Sequence, residues 1–235
     1  MILINLIRHG KTKGNLSARM IGRTDEPLCD EGIREAGELI APKADVWFTS
    51  PMKRCVQTAQ ILKENAEDPD SPCISVDDLR ECDFGHFENR NYIDMSDDEE
   101  YQTWIRSGGR MPFPGGEDPV CFQDRCCRAF SRILSACGEK PVPCLSSNGE
   151  FHVSRAAGSK IFTVNMVVHG GTIMSIMDRF AAFADGQTRT YFDWAVPNLG
   201  GYTLRADEPV PSGGRLEIDA RGHLPVSPCK RKETE

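Results

Sequence analysis

The chain has 235 residues, of which 39% are hydrophobic and 27% charged, enough for one large α/β domain with an ample core or two small ones. Its 28 basic and 35 acidic residues leave a net charge of −7, which argues against a general nucleic-acid binder. An anionic substrate stays open, because a local cluster of arginine and histidine outweighs an acidic surface at short range. No basic leader with an apolar run opens the chain, and no apolar stretch approaches the ~20 residues that span a bilayer. A cytoplasmic protein without a membrane partner is expected. The ten cysteines are scattered, with no CxxC pair. They read as reduced, small apolar fillers rather than a disulfide framework or a metal site.

Ile2 to Ile7 is a short apolar run of the size of a buried strand, and Arg8-His9-Gly10 follows where that strand ends. The turn-rich, acidic stretch Asp25–Gly32 precedes a helix expected from an Asp30 cap through Ile33, Ala36, Leu39 and Ile40, stopped by Pro42. Ala44–Thr49 reads as a second strand. Ser50 or Thr49 as cap and Pro51 at the first helical position start a helix through Met52, Cys55, Ala59, Ile61 and Leu62. Cys73–Val76 is a short third strand. From Phe84 to Gly116 the pattern is irregular, with an acidic run over Asp97–Glu100 and a short helix at Tyr101–Arg106. So long a connection suggests a substrate-facing insertion, taken as residues 84–117.

Val120–Cys137 has helical periodicity through Phe122, Cys126, Phe130, Ile133 and Leu134. Ser147–Glu150 offers a hairpin turn between Val142–Leu145 and Phe151–Val153, inside an apparent insertion over 138–160. Ile161–Val168 is a strongly apolar strand ending at His169-Gly170-Gly171, and a helix follows through Ile173, Ile176, Met177, Phe180 and Phe183. Tyr202–Leu204 and Leu216–Ile218 are further strand candidates. Residues 229–235 read as a disordered tail. Strands and helices alternate, so the expected fold is α/β: a three-layer αβα sandwich around a mostly parallel central sheet, as one domain over 1–228.

Two strand ends, at His9 and His169, carry a histidine followed by glycine. Ligands of open α/β sheets bind at such ends. An arginine beside a histidine suits phosphate: the guanidinium grips oxygens as a fork, and the imidazole attacks phosphorus or moves a proton. Gly10 and Gly14 let the backbone approach an anion, and Lys11, Thr12 and Asn15 add donors.

Arg8-His9-Gly10-Lys11-Thr12 with Asn15 resembles the RHGxTxxN signature of the histidine phosphatase superfamily, the phosphoglycerate mutase-like proteins. Ser50–Ala59 is similar to its SPxxRxxQTA segment, Leu79–Glu88 to its LxExxFGxxE segment, and Val168-His169-Gly170-Gly171 to its second histidine motif. The segments come in the family's order and cover about residues 1–200. The resemblance implies a phosphoglycerate mutase-like fold and makes His9 the nucleophile that accepts the phosphoryl group. Arg8, Arg54 and His169 would hold its oxygens with Asn15 assisting, and Glu81 would be the proton donor. Thr12, Arg23 and Gly170 join as substrate-contact candidates.

A carboxyl at Glu81 beside bound phosphate would keep its proton through like-charge repulsion. No metal or cofactor is expected, because arginine and histidine supply the positive charge. Asn89 stands where the family often has glycine, and asparagine tolerates the left-handed turn expected there. Glu117 is read as a substrate contact or a helix cap, and His86, His152 and His223 as surface or structural residues.

The function expected from the resemblance is a metal-independent phosphatase acting on a small phosphorylated metabolite. The alternatives are a phosphoglycerate mutase, or a non-catalytic phospholigand-binding protein. The neighbourhood of Glu81, Asp83 through Glu88, looks more like the phosphatase branch. Both an α-ribazole-5′-phosphate phosphatase and a broad-specificity sugar-phosphate phosphatase resemble this length and pattern. A homodimer is compatible with these readings.

Overall fold

The computed structural model describes residues 1–137, 144–146, 149–151, 161–182, 189–206, 216–218 and 226–228. In chain order its strands are β1 Ile2–Arg8, β2 Leu39–Ile40, β3 Val46–Thr49, β4 Cys73–Ser75, β5 Cys144–Ser146, β6 Gly149–Phe151, β7 Phe162–Val168, β8 Ala181–Ala182, β9 Gly201–Ala206, β10 Leu216–Ile218 and β11 Ser227–Pro228. The helices are α1 Lys13–Leu16, α2 Asp30–Gly37, α3 Lys53–Asn65, α4 Glu99–Arg106, α5 Pro119–Ala136 and α6 Gly170–Phe180.

The main sheet runs β4-β3-β7-β1-β9-β10-β8. β4, β3, β7 and β1 are mutually parallel, while β9 runs against both β1 and β10. The expected α/β sandwich with a mostly parallel sheet is therefore present. A central strand is covered on both faces, which is why β1 reads as a continuous apolar run. Ile2, Ile4 and Leu6 join Val164, Met166 and the inner faces of α5 and α6. Ile7, Trp47 and Val167 pack instead with Cys55, Ala59 and Leu62 of α3. Asn5, buried between β7 and β9, is satisfied by Asn165 at 2.7 Å and Thr203 at 2.8 Å.

Local chemistry moves several boundaries. Helix α2 stops at Gly37 rather than running through Leu39 and Ile40, which instead pair with β11. Glycine is a poor helix former, and the Asn65 amide donates to the carbonyls of Ala36, Gly37 and Leu39, closing the helix there. Its cap is Cys29, not Asp30, and Asp30 stands in the first turn where its charge suits the helix dipole. Helix α3 begins at Lys53, with Met52 as a cap that makes no side-chain bond. The acidic run is the start of α4: Asp98 accepts from the backbones of Glu100 and Tyr101, with Glu99 and Glu100 in the first turn.

β5 and β6 form the expected antiparallel hairpin, pairing Cys144 with Phe151 and Ser146 with Gly149, so Gly149 and Glu150 belong to a strand. Phe183, His152, His223 and the tail over 229–235 lie outside the described residues. Asn89 is left-handed at φ 58°, as its place in the motif suggested. The segment over 84–117 packs with Cys82 and with Phe122 and Cys126 of α5 into a small separate core, with Phe87 set edge-on to Tyr101 at 5.5 Å and Trp104 at 5.9 Å between ring centres.

Cys29, Cys55, Cys82, Cys126, Cys127 and Cys137 are buried free thiols, and Cys73 and Cys121 exposed ones. Among the described residues no helix is long and apolar enough to cross a membrane.

Candidate active site

The strand order places the carboxyl ends of β1, β7 and β3 side by side. Arg8 is level with Val168 in the β1–β7 ladder, so the next residues, His9 and His169, emerge together. Their rings lie edge to face with centres 5.2 Å apart, and both are buried. His9 Nδ1 lies 2.7 Å from the Gly10 carbonyl. A carbonyl only accepts, so this nitrogen carries the proton and Nε2 keeps its lone pair. Gly10 N donates in turn to Thr58 Oγ1, and Asn198 Nδ2 donates to the His9 carbonyl at 2.9 Å. The imidazole is thus held from both sides of its turn.

Arg54 comes from the first turn of α3 and is completely buried. Its Nε donates to His169 Nδ1 at 3.3 Å, while Nη1 and Nη2 donate to the carbonyls of Thr24 and Gly22. His169 Nε2 then donates to Ser50 Oγ at 2.8 Å. The hydroxyl that local pattern assigns to the helix is thus turned to the site, and Lys53 N at the start of α3 donates instead to Asp25 Oδ1 at 2.7 Å. Glu88 fixes the 22–24 loop by accepting from Gly22 N and Thr24 N, each at 2.9 Å.

Arg8 donates from Nη1 to the Val196 carbonyl at 2.7 Å. Its buried Nε has no hydrogen-bond partner among the described residues and lies against Gly170, the first residue of α6. A buried, unmatched guanidinium N–H is costly unless something anionic completes it.

Glu81 faces the same helix start. Its carboxylate accepts from Gly171 N at 3.1 Å and Cys82 N at 3.0 Å. Burial nevertheless raises its pKa above the ordinary carboxyl value, against those bonds and the nearby guanidiniums of Arg54 and Arg8. Arg125 positions the segment from below. It donates to the carbonyls of Asp78, Arg80 and Glu81 while forked onto Glu117 at 2.7 and 2.8 Å. Glu117 is therefore an ion-pair partner of Arg125, and the cap of α5 is Asp118.

The five residues Arg8, His9, Arg54, Glu81 and His169 come together here, with Gly170 beside them. Thr12 is buried as the cap of α1, and Asn15 Oδ1 accepts from Thr12 N and from Asn198 Nδ2, each at 3.2 Å. Arg23 is exposed and reaches Asp83, and Lys11 is taken up by Glu31 and Glu35. His86 is exposed and pairs with Glu100. In the sequence Ser50 reads only as a helix cap, and Thr58, Arg125, Tyr191 and Asn198 have no role. Ser50 and Thr58 lay within a quoted motif, but the others carried no local signal. Among the described residues no group of three histidine, cysteine or acidic side chains is placed to hold a metal ion.

Burial first, and then the Arg54 charge, hold both imidazoles well below the usual histidine range. At neutral pH each is uncharged, so His9 Nε2 is available as a nucleophile. Such depression stabilises the fold fully above the unfolded value of 6.5, and the contribution is lost as pH falls through the folded values. Glu81, raised, acts in the opposite sense and is most favourable at low pH. The urea midpoint is expected to fall below pH 6.5, and less steeply in His169→Gln, where Glu81 is retained. Equal slopes in the two proteins would remove the imidazole from the explanation.

Gly171 leaves room for the carboxylate: a Cβ there would lie 2.4 Å from Glu81 Oε1 and 3.0 Å from the Phe122 ring. Its helical backbone accepts alanine, so Gly171→Ala should fold and displace Glu81. A loss of up to ~10²-fold in kcat is expected from that misplacement. Unchanged kcat in the variant would show that the position of Glu81 is not critical.

A family model for the histidine phosphatase superfamily (branch 1) matches residues 4–209. The chain is 33% identical over 185 residues to 2,3-bisphosphoglycerate-dependent phosphoglycerate mutase 2 of Gloeobacter violaceus, covering 75% of this chain and 74% of that one. Among solved structures, the alpha-ribazole phosphatase of Shigella flexneri superposes with a TM-score of 0.68 at 18% identity, over 94% of this chain and 96% of that one. The phosphoserine phosphatase of Entamoeba histolytica, solved with 3-phosphoglyceric acid, gives a TM-score of 0.63 at 19% identity, covering 94% and 96%. The buried histidine pair, the two arginines and the glutamate thus sit on a fold shared with mutases and phosphatases alike, and the chain belongs to the histidine phosphatase superfamily.

Proposed function

We propose that the protein is a phosphatase that hydrolyses a phosphomonoester in two steps through a phosphohistidine on His9. The observation that carries this reading is geometric: His9, its Nδ1 held on the Gly10 carbonyl, and Glu81, held at the start of α6, meet around the positive groups of Arg8 and Arg54. In the first step His9 Nε2 attacks phosphorus and the bond to the leaving alcohol breaks. Glu81 gives its proton to the departing alkoxide. In the second step water attacks the phosphohistidine, Glu81 takes a proton from that water, and the P–N electron pair returns to His9. Arg8, Arg54, His169 and the start of α6 hold the equatorial oxygens, where charge spreads in the transition state. Asn15 assists by supporting the turn after His9.

The second reading is a mutase, which returns the phosphoryl group to a sugar acid, as the names of several relatives state. Such an enzyme must retain a polyanion through the transfer. Among the described residues the cavity beside Glu81 has Arg8 and Arg110 as its cationic lining, which favours release to water. Assaying phosphate release and mutase activity side by side tests this. Phosphate release that survives EDTA is expected, because the resident guanidiniums and helix start already neutralise the phosphate. Efficient transfer between phosphoglycerates with little free phosphate would establish the mutase instead.

A further inference from the structure

The cavity that begins at Arg8, Glu81, Gly170 and Gly171 encloses about 910 Å³. That is near the upper end of the ~300–1,000 Å³ typical of sites for drug-sized ligands. Beyond the phosphate end its walls are rings: Phe84, Trp104, Phe113, Phe122, Tyr191 and Phe192. Their polar tips point elsewhere. Trp104 Nε1 donates to the Met111 carbonyl at 3.1 Å, and the Tyr191 hydroxyl donates to the Gly171 carbonyl at 3.3 Å. Trp104 also stacks on Phe113, with ring centres 5.0 Å apart and planes 29° from parallel.

The mouth is apolar as well. Phe192 and Val120 are 64% and 61% exposed, and both border the cavity. Large exposed apolar side chains grouped around a concave site mark a surface that a ligand covers. Among the described residues Glu81 is the one carboxylate that lines the cavity, and Arg110 its one cation besides Arg8. A polyhydroxylated alcohol would find few partners here and would leave its hydroxyl groups desolvated.

Resting on the phosphatase reading, we infer that the leaving alcohol of the preferred substrate carries a bulky, ring-bearing apolar body, which the aromatic walls enclose. The phosphate lies at the Arg8 end, and the apolar body extends towards Phe192 and Val120.

The test compares 3-phenylpropyl phosphate, propyl phosphate and glycerol 3-phosphate as substrates of the intact protein. All three release a primary alkoxide, so differences report the body of the alcohol rather than its acidity. The phenylpropyl ester should exceed propyl phosphate in kcat/KM on the order of 10–100-fold, through KM, with glycerol 3-phosphate no better than propyl. Phe192→Ala should draw the phenylpropyl-to-propyl ratio towards one, and Phe192→Leu should restore part of it. Phe192 is exposed, so neither change is expected to unfold the protein.

Comparable kcat/KM for the three esters, a preference for glycerol 3-phosphate, or a ratio unmoved in Phe192→Ala would overturn the inference while leaving a phosphatase in place. No phosphate release from any ester, with mutase activity present, would overturn the reading beneath it.

Discussion

His9→Ala is expected to lower turnover of any phosphomonoester by ~10³-fold or more and to abolish a covalent phosphoenzyme. The expectation rests on geometry that leaves this ring few alternatives. The Gly10 carbonyl accepts a hydrogen bond from Nδ1, Thr58 and Asn198 hold the turn, and Nε2 is left unprotonated among Arg8, Arg54 and His169. Removing a nucleophile that acts as a unit with its neighbours costs most of the catalysis those neighbours supply. Turnover quenched with labelled substrate should leave label on wild-type protein that is labile in acid and stable in alkali. His169→Ala, which removes a proposed oxygen-binding group rather than the proposed nucleophile, should slow formation of that label without preventing it. Retention of full activity in His9→Ala, with no label in wild type, would reject the covalent route.

The second large effect is expected at Glu81. Glu81→Gln keeps the shape and, at its one retained oxygen, one of the two bonds that Oε1 and Oε2 accept from Cys82 N and Gly171 N, but it cannot exchange a proton. With alkyl phosphates, whose leaving alkoxide needs that proton, the first step should slow by ~10²–10⁴-fold. With p-nitrophenyl phosphate, whose leaving group hardly needs it, the first step should be much less affected. The second step still requires a base to activate water, so phosphoenzyme should accumulate in the variant with this substrate. Equal slowing of both substrates at the first step, without accumulation, would reduce Glu81 to a positioning residue. The raised pKa of Glu81 gives the pH dependence its direction. The donor form persists to higher pH than an ordinary carboxyl would allow, because burial penalises the charged form more than its two backbone donors favour it.

Much of this architecture was legible locally. The apolar runs of β1 and β7 show themselves because both faces of a central strand must be covered, and α5 shows itself through the period of Phe122, Cys126, Phe130 and Ile133. Each histidine is marked by its place after such a run and before a glycine. Where local reading failed, a distant group had claimed the local one. Asn65 closes α2 three residues before the expected end at Ile40, and His169 draws the Ser50 hydroxyl away from capping α3. Leu39 and Ile40, apolar at helical spacing, pair instead with a strand from the far end of the chain.

By itself, then, the sequence determined the alternation of strands and helices, the strand-end histidines and the motifs that place Arg8, Arg54 and Glu81 in one family's pattern. Tertiary structure decided that β7 lies between β3 and β1, which sets two histidines distant in the chain 5.2 Å apart. It also decided the antiparallel β9, the part played by Arg125 and Asn198, and the closing of an irregular segment into one wall of an aromatic cavity. The reason is physical: propensity and periodicity report what a residue's near neighbours allow. Register, burial and proton placement depend on groups brought near only when the sheet closes.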